Sequence, residues 1–195
     1  MKEFEEIIAR EGKVFPGNIL KVDSFLNHQI DVELIDKLGE AFYEKFKNKG
    51  ITKILTIESS GIAIACAAAR FFKVPVVFAK KSQSLNLGTD NYVSRISSYT
   101  YGKEYDVIVS RDFLGPEDKI LLIDDFLAIG NAMKGLLEIC EQAGSEVVGI
   151  GICIEKAFQR GGDDLRKMGY DVSSLAIIDS MSTEPQNIRF RAVRQ

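Results

Sequence analysis

The sequence is poor in the residues that build metal centres, disulfide frameworks and histidine-dependent catalytic sites. Its 195 residues include one histidine, three cysteines and no tryptophan. The single histidine, His28, has no cysteine, serine or metal-ligand pattern beside it, so we interpret it as structural. The cysteines (Cys66, Cys140 and Cys153) are odd in number and lie in apolar segments. They therefore indicate small core residues in a reducing compartment rather than disulfides.

The sequence also lacks a long hydrophobic segment and an excess of positive charge. No apolar run approaches the roughly 20 residues of a membrane span, and the acidic start, Met1–Glu6, is unlike a signal peptide. A net charge of −3 gives no electrostatic reason to expect nucleic-acid binding. With 46% hydrophobic and 27% charged residues, the composition is typical of one globular domain. We expect a single cytoplasmic domain, 1–195, with neither membrane nor nucleic-acid partners.

The sequence does contain short apolar runs that alternate with amphipathic segments. Two strand–helix–strand successions are predicted, at 51–57, 62–72 and 75–79 and again at 120–125, 133–143 and 146–154. Further helices are expected at 2–12, from the N-cap Asp31 to Asn48 and at 163–168, with further strands at 175–178 and 188–193. This order predicts an α/β fold with a mainly parallel central sheet flanked by helices.

Residues 80–112 interrupt this alternation. Their first part is polar and has no helical period, whereas 92–101 and 105–109 alternate like an antiparallel hairpin joined at 102–104. Long polar insertions of this kind are usually lids over a binding site or disordered loops, and the sequence does not separate the two. We therefore expect 80–112 to be a flexible insertion.

The most informative segment is 120–132. A continuous apolar run, 120–123, leads into Asp124 and Asp125, and a turn that contains Gly130 then opens an amphipathic helix. The run is typical of a strand buried on both faces of a parallel sheet, so the acids would stand at its carboxyl end, where open α/β sheets bind ligands. Main-chain N–H groups at the start of the helix can bind a phosphate. Two carboxylates beside a phosphate cradle suit a sugar phosphate, whose hydroxyls would bind the acids.

A second anion-binding turn is predicted where the strand 51–57 ends. The turn consists of Glu58, Ser59, Ser60 and Gly61. It offers main-chain N–H groups and serine hydroxyls, although on its own an ordinary helix N-cap is the commoner explanation. Lys80 and Lys81 close the next strand. They are either a solvated pair of surface charges or cations that neutralise a departing pyrophosphate.

The strand, acid pair, small residues, glycine and helix of 120–132 resemble the phosphoribosyl diphosphate (PRPP) motif of the type I phosphoribosyltransferases. The resemblance implies that Asp124 and Asp125 are catalytic and that Ala128, Ile129, Gly130, Asn131 and Ala132 bind PRPP. It also implies that the 58–61 turn and Lys80–Lys81 bind the pyrophosphate end, that Mg²⁺ arrives bound to PRPP, and that a mobile loop lies within 80–112. The chain departs from the family pattern at Ala128, Ile129 and Ala132, where Ser or Thr is usual. Main-chain N–H groups would therefore make most of the phosphate contacts.

Further segments resemble the purine-salvage members of this family that use xanthine. These segments are 20–31, 51–62, 74–79, 124–128 and 149–159. The resemblance implies transfer of the phosphoribosyl group from PRPP to xanthine by a homodimer, giving xanthosine 5'-monophosphate and pyrophosphate, with a small hood formed by the terminal segments. Leu20, Asn27 and Lys156 match the base-binding positions. Phe158 could stack on the base, although a core aromatic is the more frequent outcome.

Three alternatives remain open. The first is the same chemistry on guanine, hypoxanthine or adenine. The second is a transcriptional regulator that senses PRPP, but roughly 30 residues before the first long helix and a negative net charge do not supply a DNA-binding module. The third is a general nucleotide-binding protein, which is disfavoured because neither G-x-x-x-x-G-K-[S/T] nor G-x-G-x-x-G occurs at a strand–helix junction.

Overall fold

The computed structural model describes residues 1–82, 90–97 and 104–192. Two parts of the predicted insertion, 83–89 and the hairpin residues 98–103, lie outside the described residues, as does Val193, the last residue of the predicted C-terminal strand. The predictions made for them therefore stay predictions.

Five α-helices and ten strands follow one another along the described chain. The helices are α1 (Lys2–Glu11), α2 (Val32–Phe46), α3 (Ser60–Phe72), α4 (Asn131–Ala143) and α5 (Gly161–Lys167). The strands are β1 (Lys13–Phe15), β2 (Ile19–Lys21), β3 (Lys53–Ile57), β4 (Val76–Ser82), β5 (Asn91–Ser97), β6 (Glu104–Ser110), β7 (Lys119–Leu127), β8 (Glu146–Lys156), β9 (Val172–Thr183) and β10 (Gln186–Phe190). Short helical turns cover Asp23–Asn27, Arg111–Phe113 and Ala157–Gln159.

Eight of these strands form one sheet, in the order β10-β9-β8-β7-β3-β4-β6-β5. The five strands from β9 to β4 are parallel to one another. Strands β10 and β6 pair antiparallel with their parallel neighbours, and β5 pairs antiparallel with β6. The predicted, mainly parallel sheet is confirmed. Its five parallel strands end at one edge, the usual place for a ligand in such sheets.

Helices cover both faces of the sheet, which explains the continuous apolar runs. On β3, Ile54 packs into a core shared with α2 and α3, whereas Leu55 packs on the opposite side with α4. On β7, Leu121 joins the first core, and Ile120 and Leu122 join the second. All five side chains are fully buried. A strand enclosed on both faces needs apolar residues at every position rather than at alternate ones.

Strands β5 and β6, within 80–112, belong to the central sheet, whereas the sequence predicted this hairpin as part of a flexible insertion. Strand β6 pairs with the end of β4, with Lys81 opposite Val107. Val107 and Ile96 are buried, and α4 packs so closely that a Cβ on Gly135 would lie 2.4 Å from Ile96 Cδ1. This packing and pairing make β5 and β6 an extension of the sheet.

The bounds of two strands also differ from the prediction, whereas the predicted N-cap of one helix is confirmed. Strand β9 covers Val172–Thr183 instead of 175–178. Strand β10 covers Gln186–Phe190, so it begins before the predicted 188 and does not include the predicted 191 and 192. The outer part of β9 is mostly exposed, so its residues carry no apolar signal. At the start of α2, the Asp31 carboxylate accepts a hydrogen bond from the Leu34 N–H at 3.1 Å, as an N-cap should.

The β1–β2 hairpin and the C-terminal strands form the predicted hood. The side chain of Gln186 joins them: its Nε2 donates to the Gly12 carbonyl, and its Oε1 accepts from the Val14 N–H, each at 3.1 Å. The carbonyl of Asn18, in the turn of the hairpin, accepts a hydrogen bond from Lys156 Nζ at 2.8 Å. Since Lys156 ends β8, the hood lies against the carboxyl edge of the sheet.

Candidate active site

Four segments that contain predicted site residues meet at the carboxyl edge of the sheet. The strands that carry them, β4, β3, β7 and β8, are adjacent and parallel. Their ends place the 58–61 turn beside Lys81 on one side and beside Asp124 on the other, with Lys156 one strand further along. The topology therefore gathers residues that are up to about a hundred positions apart in the chain.

The acid pair lies near the end of β7. Asp124 is 6% exposed and Asp125 is half-buried. Each carboxylate accepts a hydrogen bond from the following main-chain N–H, Asp124 from Asp125 at 3.0 Å and Asp125 from Phe126 at 2.9 Å. Burial, reinforced by the charge of Asp125, raises the pKa of Asp124 well above its ordinary value, and Lys81 opposes this shift. Asp124 is therefore protonated more easily than a surface aspartate, and Asp125 is the more accessible of the two acids.

Gly61 brings the start of α3 directly against the acid pair. A Cβ at this position would lie 2.1 Å from Thr56 Oγ1 and 3.3 Å from Asp124 Oδ1. No side chain fits there without displacing β3 or the carboxylate. The glycine therefore allows the first main-chain N–H groups of α3, which have no acceptor within the helix, to stand close to Asp124.

The loop 128–132 joins the acid pair to α4. Gly130 has a φ of +88°, in the left-handed region that favours glycine, and it immediately precedes the first residue of the helix. The loop lines a cavity of about 160 Å³, to which Ile96 of β5 and Tyr105 of β6 also contribute. A helix start that faces such a cavity is suited to an anion.

Glu58, Lys81 and Tyr105 surround the other side of the acids. Glu58 Oε1 accepts a hydrogen bond from the Lys81 main-chain N–H at 2.6 Å, and Lys81 Nζ lies 5.6 Å from the centre of the Tyr105 ring. Burial, with a contribution from the charge of Asp124, raises the pKa of Tyr105. The neighbouring Lys80 is not brought to this group, because side chains alternate along β4, and it lines a groove with Phe78 instead.

The predicted base-binding residues lie at the end of β8 and in the hood. Lys156 Nζ lies 5.3 Å from the centre of the Phe126 ring. Burial lowers the pKa of Lys156, while Asp125 opposes the shift. Asn27 ends the helical turn Asp23–Asn27, and its Oδ1 is buried without a hydrogen-bond partner among the described residues. Such an acceptor is costly unless a ligand donates to it.

Leu20 and Phe158 are less available to a ligand. Leu20 is 6% exposed, on β2, and belongs to the core beneath the hood. Phe158 is half-buried and packs against the same core, in the short helical turn after β8.

Sequence reasoning missed Phe126, Tyr105 and Asn18. Phe126 follows the acid pair directly and could have been noticed as an aromatic next to a predicted catalytic position. Tyr105 enters the site through the pairing of β6 with β4, and Asn18 enters through a main-chain carbonyl. Neither carries a local sequence signal.

Comparison with known proteins places this arrangement in a family. The model of the phosphoribosyl transferase domain matches residues 21–187. The chain belongs to the phosphoribosyltransferase family. This phosphoribosyltransferase is 60% identical over 193 residues to the xanthine phosphoribosyltransferase of Bifidobacterium adolescentis, covering 98% of this chain and 100% of that protein. It is 53% identical over 191 residues to the xanthine phosphoribosyltransferase of Lachnoclostridium phytofermentans, covering 98% of each protein.

Solved structures agree with this assignment. The adenine phosphoribosyltransferase of Rhodothermus marinus matches this phosphoribosyltransferase with a TM-score of 0.71 at 25% identity, over 91% of this chain and 99% of that one. The predicted type I fold and the predicted enzyme class are confirmed. Within 1–82, 90–97 and 104–192, no helix has the length and apolar character needed to cross a membrane. The same described residues include no group of three or more His, Cys, Asp or Glu side chains placed to hold a metal ion.

Proposed function

We propose that this phosphoribosyltransferase transfers the 5-phosphoribosyl group from PRPP to xanthine, giving xanthosine 5'-monophosphate and pyrophosphate. The observation that carries the proposal is the acid pair, with Asp124 buried and Asp125 half-buried, near both a cavity of about 160 Å³ and the partly buried Lys156. The names of the two relatives described above, both xanthine phosphoribosyltransferases, support xanthine as the base. The reaction requires binding, orientation and electrostatic stabilisation, which acidic and basic side chains and main-chain N–H groups can provide.

PRPP would bind along the carboxyl edge. Its 5-phosphate would occupy the cavity at 128–132, where the helix start of α4 provides main-chain N–H groups. The more accessible carboxylate of Asp125 would accept hydrogen bonds from the ribose hydroxyls, with Asp124 behind it. The pyrophosphate would then face the start of α3 and the ammonium of Lys81. Both features stabilise negative charge.

Magnesium fits this arrangement as a companion of the substrate. Carboxylate oxygens are ligands that Mg²⁺ accepts, and it usually keeps phosphate oxygens and water as its other ligands. Since the described residues hold no ready cluster of three metal ligands, Asp124 and Asp125 would bind it only together with PRPP. When bound, the ion would neutralise charge on the leaving pyrophosphate.

Xanthine would bind between the end of β8 and the hood. The ammonium of Lys156 can donate to a ring carbonyl and favours an anionic form of the base. The buried Oδ1 of Asn27 can accept a hydrogen bond from a ring N–H. The ring of Phe126, beside Lys156, offers an apolar surface for stacking.

The reaction follows from these positions. A ring nitrogen of xanthine forms a bond to the anomeric carbon while the bond from that carbon to the pyrophosphate oxygen breaks. The proton of the nitrogen passes to water or to the departing pyrophosphate, and pyrophosphate leaves with the bonding electron pair. The carboxylates beneath the ribose favour the positive charge that develops on the sugar in the transition state.

The decisive test is incorporation of radiolabelled base. The protein is incubated with PRPP, Mg²⁺ and, in turn, xanthine, guanine, hypoxanthine or adenine, and the nucleotide product is counted. We expect the highest kcat/KM with xanthine. A higher kcat/KM with another purine would overturn the base assignment, and no product with any of the four would overturn the reaction itself.

We also propose that the protein acts as a cytoplasmic homodimer. Support for a second copy comes from a groove of about 490 Å³ along β4 and β6. Its lining combines exposed aromatic rings, Phe78 and Phe113, with charges of both signs, Lys80 and Asp112. A patch that contains both signs can pair with its own copy about a two-fold axis. Cys140 and Cys153 are buried as predicted, whereas Cys66 is exposed and is not a core residue. All three thiols are free, which is compatible with a reducing compartment.

A further inference from the structure

We propose that Gly161 and Gly162, held in place by the ion pair of the buried Glu155 with Arg166, are positioning residues that set the shape of the phosphate loop 128–132. The proposal rests on the proposed function, since it assigns these residues a role in binding PRPP. None of them is a candidate substrate contact.

The phosphate loop of this chain depends on its main chain more than the family pattern requires. Ala128, Ile129 and Ala132 carry no hydroxyl or charge, so these side chains cannot hold a phosphate. Binding through main-chain N–H groups works only if those groups point to one place. The backbone of the loop must therefore be supported from behind.

Gly161 supplies that support. Its N–H donates a hydrogen bond to the Ala128 carbonyl at 3.0 Å. A Cβ on Gly161 would lie 2.4 Å from the same carbonyl oxygen and 2.9 Å from the Gly130 nitrogen. The main chain of α5 thus lies in direct contact with the main chain of the loop. There is no space for even a methyl group between them.

The ion pair fixes the start of α5 at this distance. The Arg166 guanidinium donates to both oxygens of Glu155, Nη1 to Oε1 at 2.8 Å and Nη2 to Oε2 at 2.7 Å. The Ser174 hydroxyl also donates to Glu155 Oε2. Glu155 is fully buried, and a Cβ on Gly162 would lie 2.1 Å from its Oε1. Gly162 is therefore packed against the carboxylate as tightly as Gly161 is packed against the loop.

The charge state of the pair suits this role. Burial would raise the pKa of Glu155, but hydrogen bonds from Arg166 and Ser174 hold it below its ordinary value. The pair is thus ionised at neutral pH, and its two parallel hydrogen bonds define one orientation of the arginine. Glu155 also precedes Lys156, so the strand end that carries the candidate base ligand is anchored by the same contact.

The test adds one methyl group behind the loop and measures the affinity for PRPP. In Gly161→Ala the new methyl must push Ala128 and Gly130 away, so we expect PRPP to bind roughly tenfold more weakly by calorimetry, and its KM to rise accordingly. The KM for xanthine should change by no more than about twofold, because the base contacts are not displaced. Gly115→Ala is the matched control, since nothing lies within 4 Å of a Cβ there. This control should bind PRPP as the wild type does.

Gly162→Ala tests the contact between α5 and the carboxylate of Glu155. Its methyl would collide with Glu155 instead of the loop, so we expect a lower Tm together with weaker PRPP binding. Unchanged PRPP affinity in Gly161→Ala, or equal increases of both KM values, would overturn the proposal. If the wild type bound PRPP but did not use xanthine, the base assignment would fail while the loop comparison stood. If the wild type did not bind PRPP, both proposals would fall.

Discussion

Lys156 Nζ donates a hydrogen bond to the main-chain carbonyl of Asn18 at 2.8 Å, across 138 positions of sequence. This contact ties the hood to the end of β8, directly beside the ring of Phe126. The same ammonium that would bind the base also holds the segment that would cover it. Substitution of Lys156 should therefore affect the binding of the base more than the binding of PRPP.

We therefore expect Lys156→Met to impair the use of xanthine. Methionine keeps the apolar part of the side chain but removes the charged donor, which is worth about 1.5–3 kcal/mol and so roughly 10- to 100-fold in the KM for xanthine. The KM for PRPP should change little. Steady-state kinetics with each substrate varied in turn provide the measurement, and Lys167→Met on the exposed side of α5 is the control. Xanthine carries one ring carbonyl more than hypoxanthine and forms an anion more readily, so equal losses for the two bases would contradict the proposed role of Lys156.

The acid pair should be needed for turnover and not for folding. In Asp125→Asn the amide keeps an oxygen for the Phe126 N–H but loses the negative charge under the developing positive charge of the sugar. We expect kcat to fall by roughly 100-fold or more, with an unchanged circular dichroism spectrum. Asp171→Asn, at an exposed acid that pairs with Lys49 at 3.0 Å, serves as the control. Wild-type turnover in both Asp124→Asn and Asp125→Asn would remove the basis of the assignment.

Asp124→Asn should make the protein more stable even as it becomes less active. Because burial and Asp125 raise the pKa of Asp124 in the folded state, the folded protein binds this proton more tightly than the unfolded chain. The wild type therefore loses stability as the pH rises above the ordinary aspartate value of about 3.9 and through the raised pKa. Asparagine does not titrate, so the Tm advantage of the variant should grow from pH 4 to pH 7. An advantage that shrinks over this range would contradict the raised pKa.

The close approach at Gly61 predicts that Gly61→Ala lowers the free energy of unfolding and that a second substitution recovers part of it. Gly61→Ala places a methyl group 2.1 Å from Thr56 Oγ1, and overpacking of this kind typically costs about 1–3 kcal/mol. Thr56→Ala removes that hydroxyl. Chemical denaturation of the two single variants and the double variant should show that the double variant is more stable than Gly61→Ala alone. Simple additivity would mean that the two positions do not interact.

The groove along β4 and β6 predicts the oligomeric state. We expect the wild type to elute as a dimer in size-exclusion chromatography with light scattering. Phe113→Glu, at a side chain that is 59% exposed, should shift it towards the monomer because it places a charge in an apolar contact. Glu117→Lys, at an exposed position near the same turn, controls for altered surface charge. A monomeric wild type would refute the homodimer, and a dimeric Phe113→Glu would place the interface elsewhere.

The part of the site built from one continuous segment could be predicted from the sequence. The apolar run, Asp124, Asp125, Gly130 and the following helix lie in one continuous segment, and the placement of each has a local chemical reason. The fold class followed for the same reason, since buried parallel strands leave continuous apolar runs.

The remainder depends on contacts between distant segments. Nothing near Tyr105 indicates that β6 joins β4, and nothing near Gly161 indicates that α5 lies behind Ala128. Strand β9 extends beyond its apolar centre because its outer part pairs with β10 through main-chain hydrogen bonds, which any residue can make. Long-range strand pairing and main-chain contacts produce no signal in the local composition or hydrophobic periodicity of the sequence.

The side chain of Gln186 hydrogen-bonds to Gly12 and Val14, so the hood over the proposed base site combines β10 with residues that precede α2. The proposed PRPP-binding residues, by contrast, lie between 58 and 132 in the sequence. Removal of β10 should therefore cost selectivity for the nucleobase while sparing recognition of the activated sugar. Changes confined to the two tails offer a route by which this scaffold could acquire a new purine without disturbing its shared chemistry.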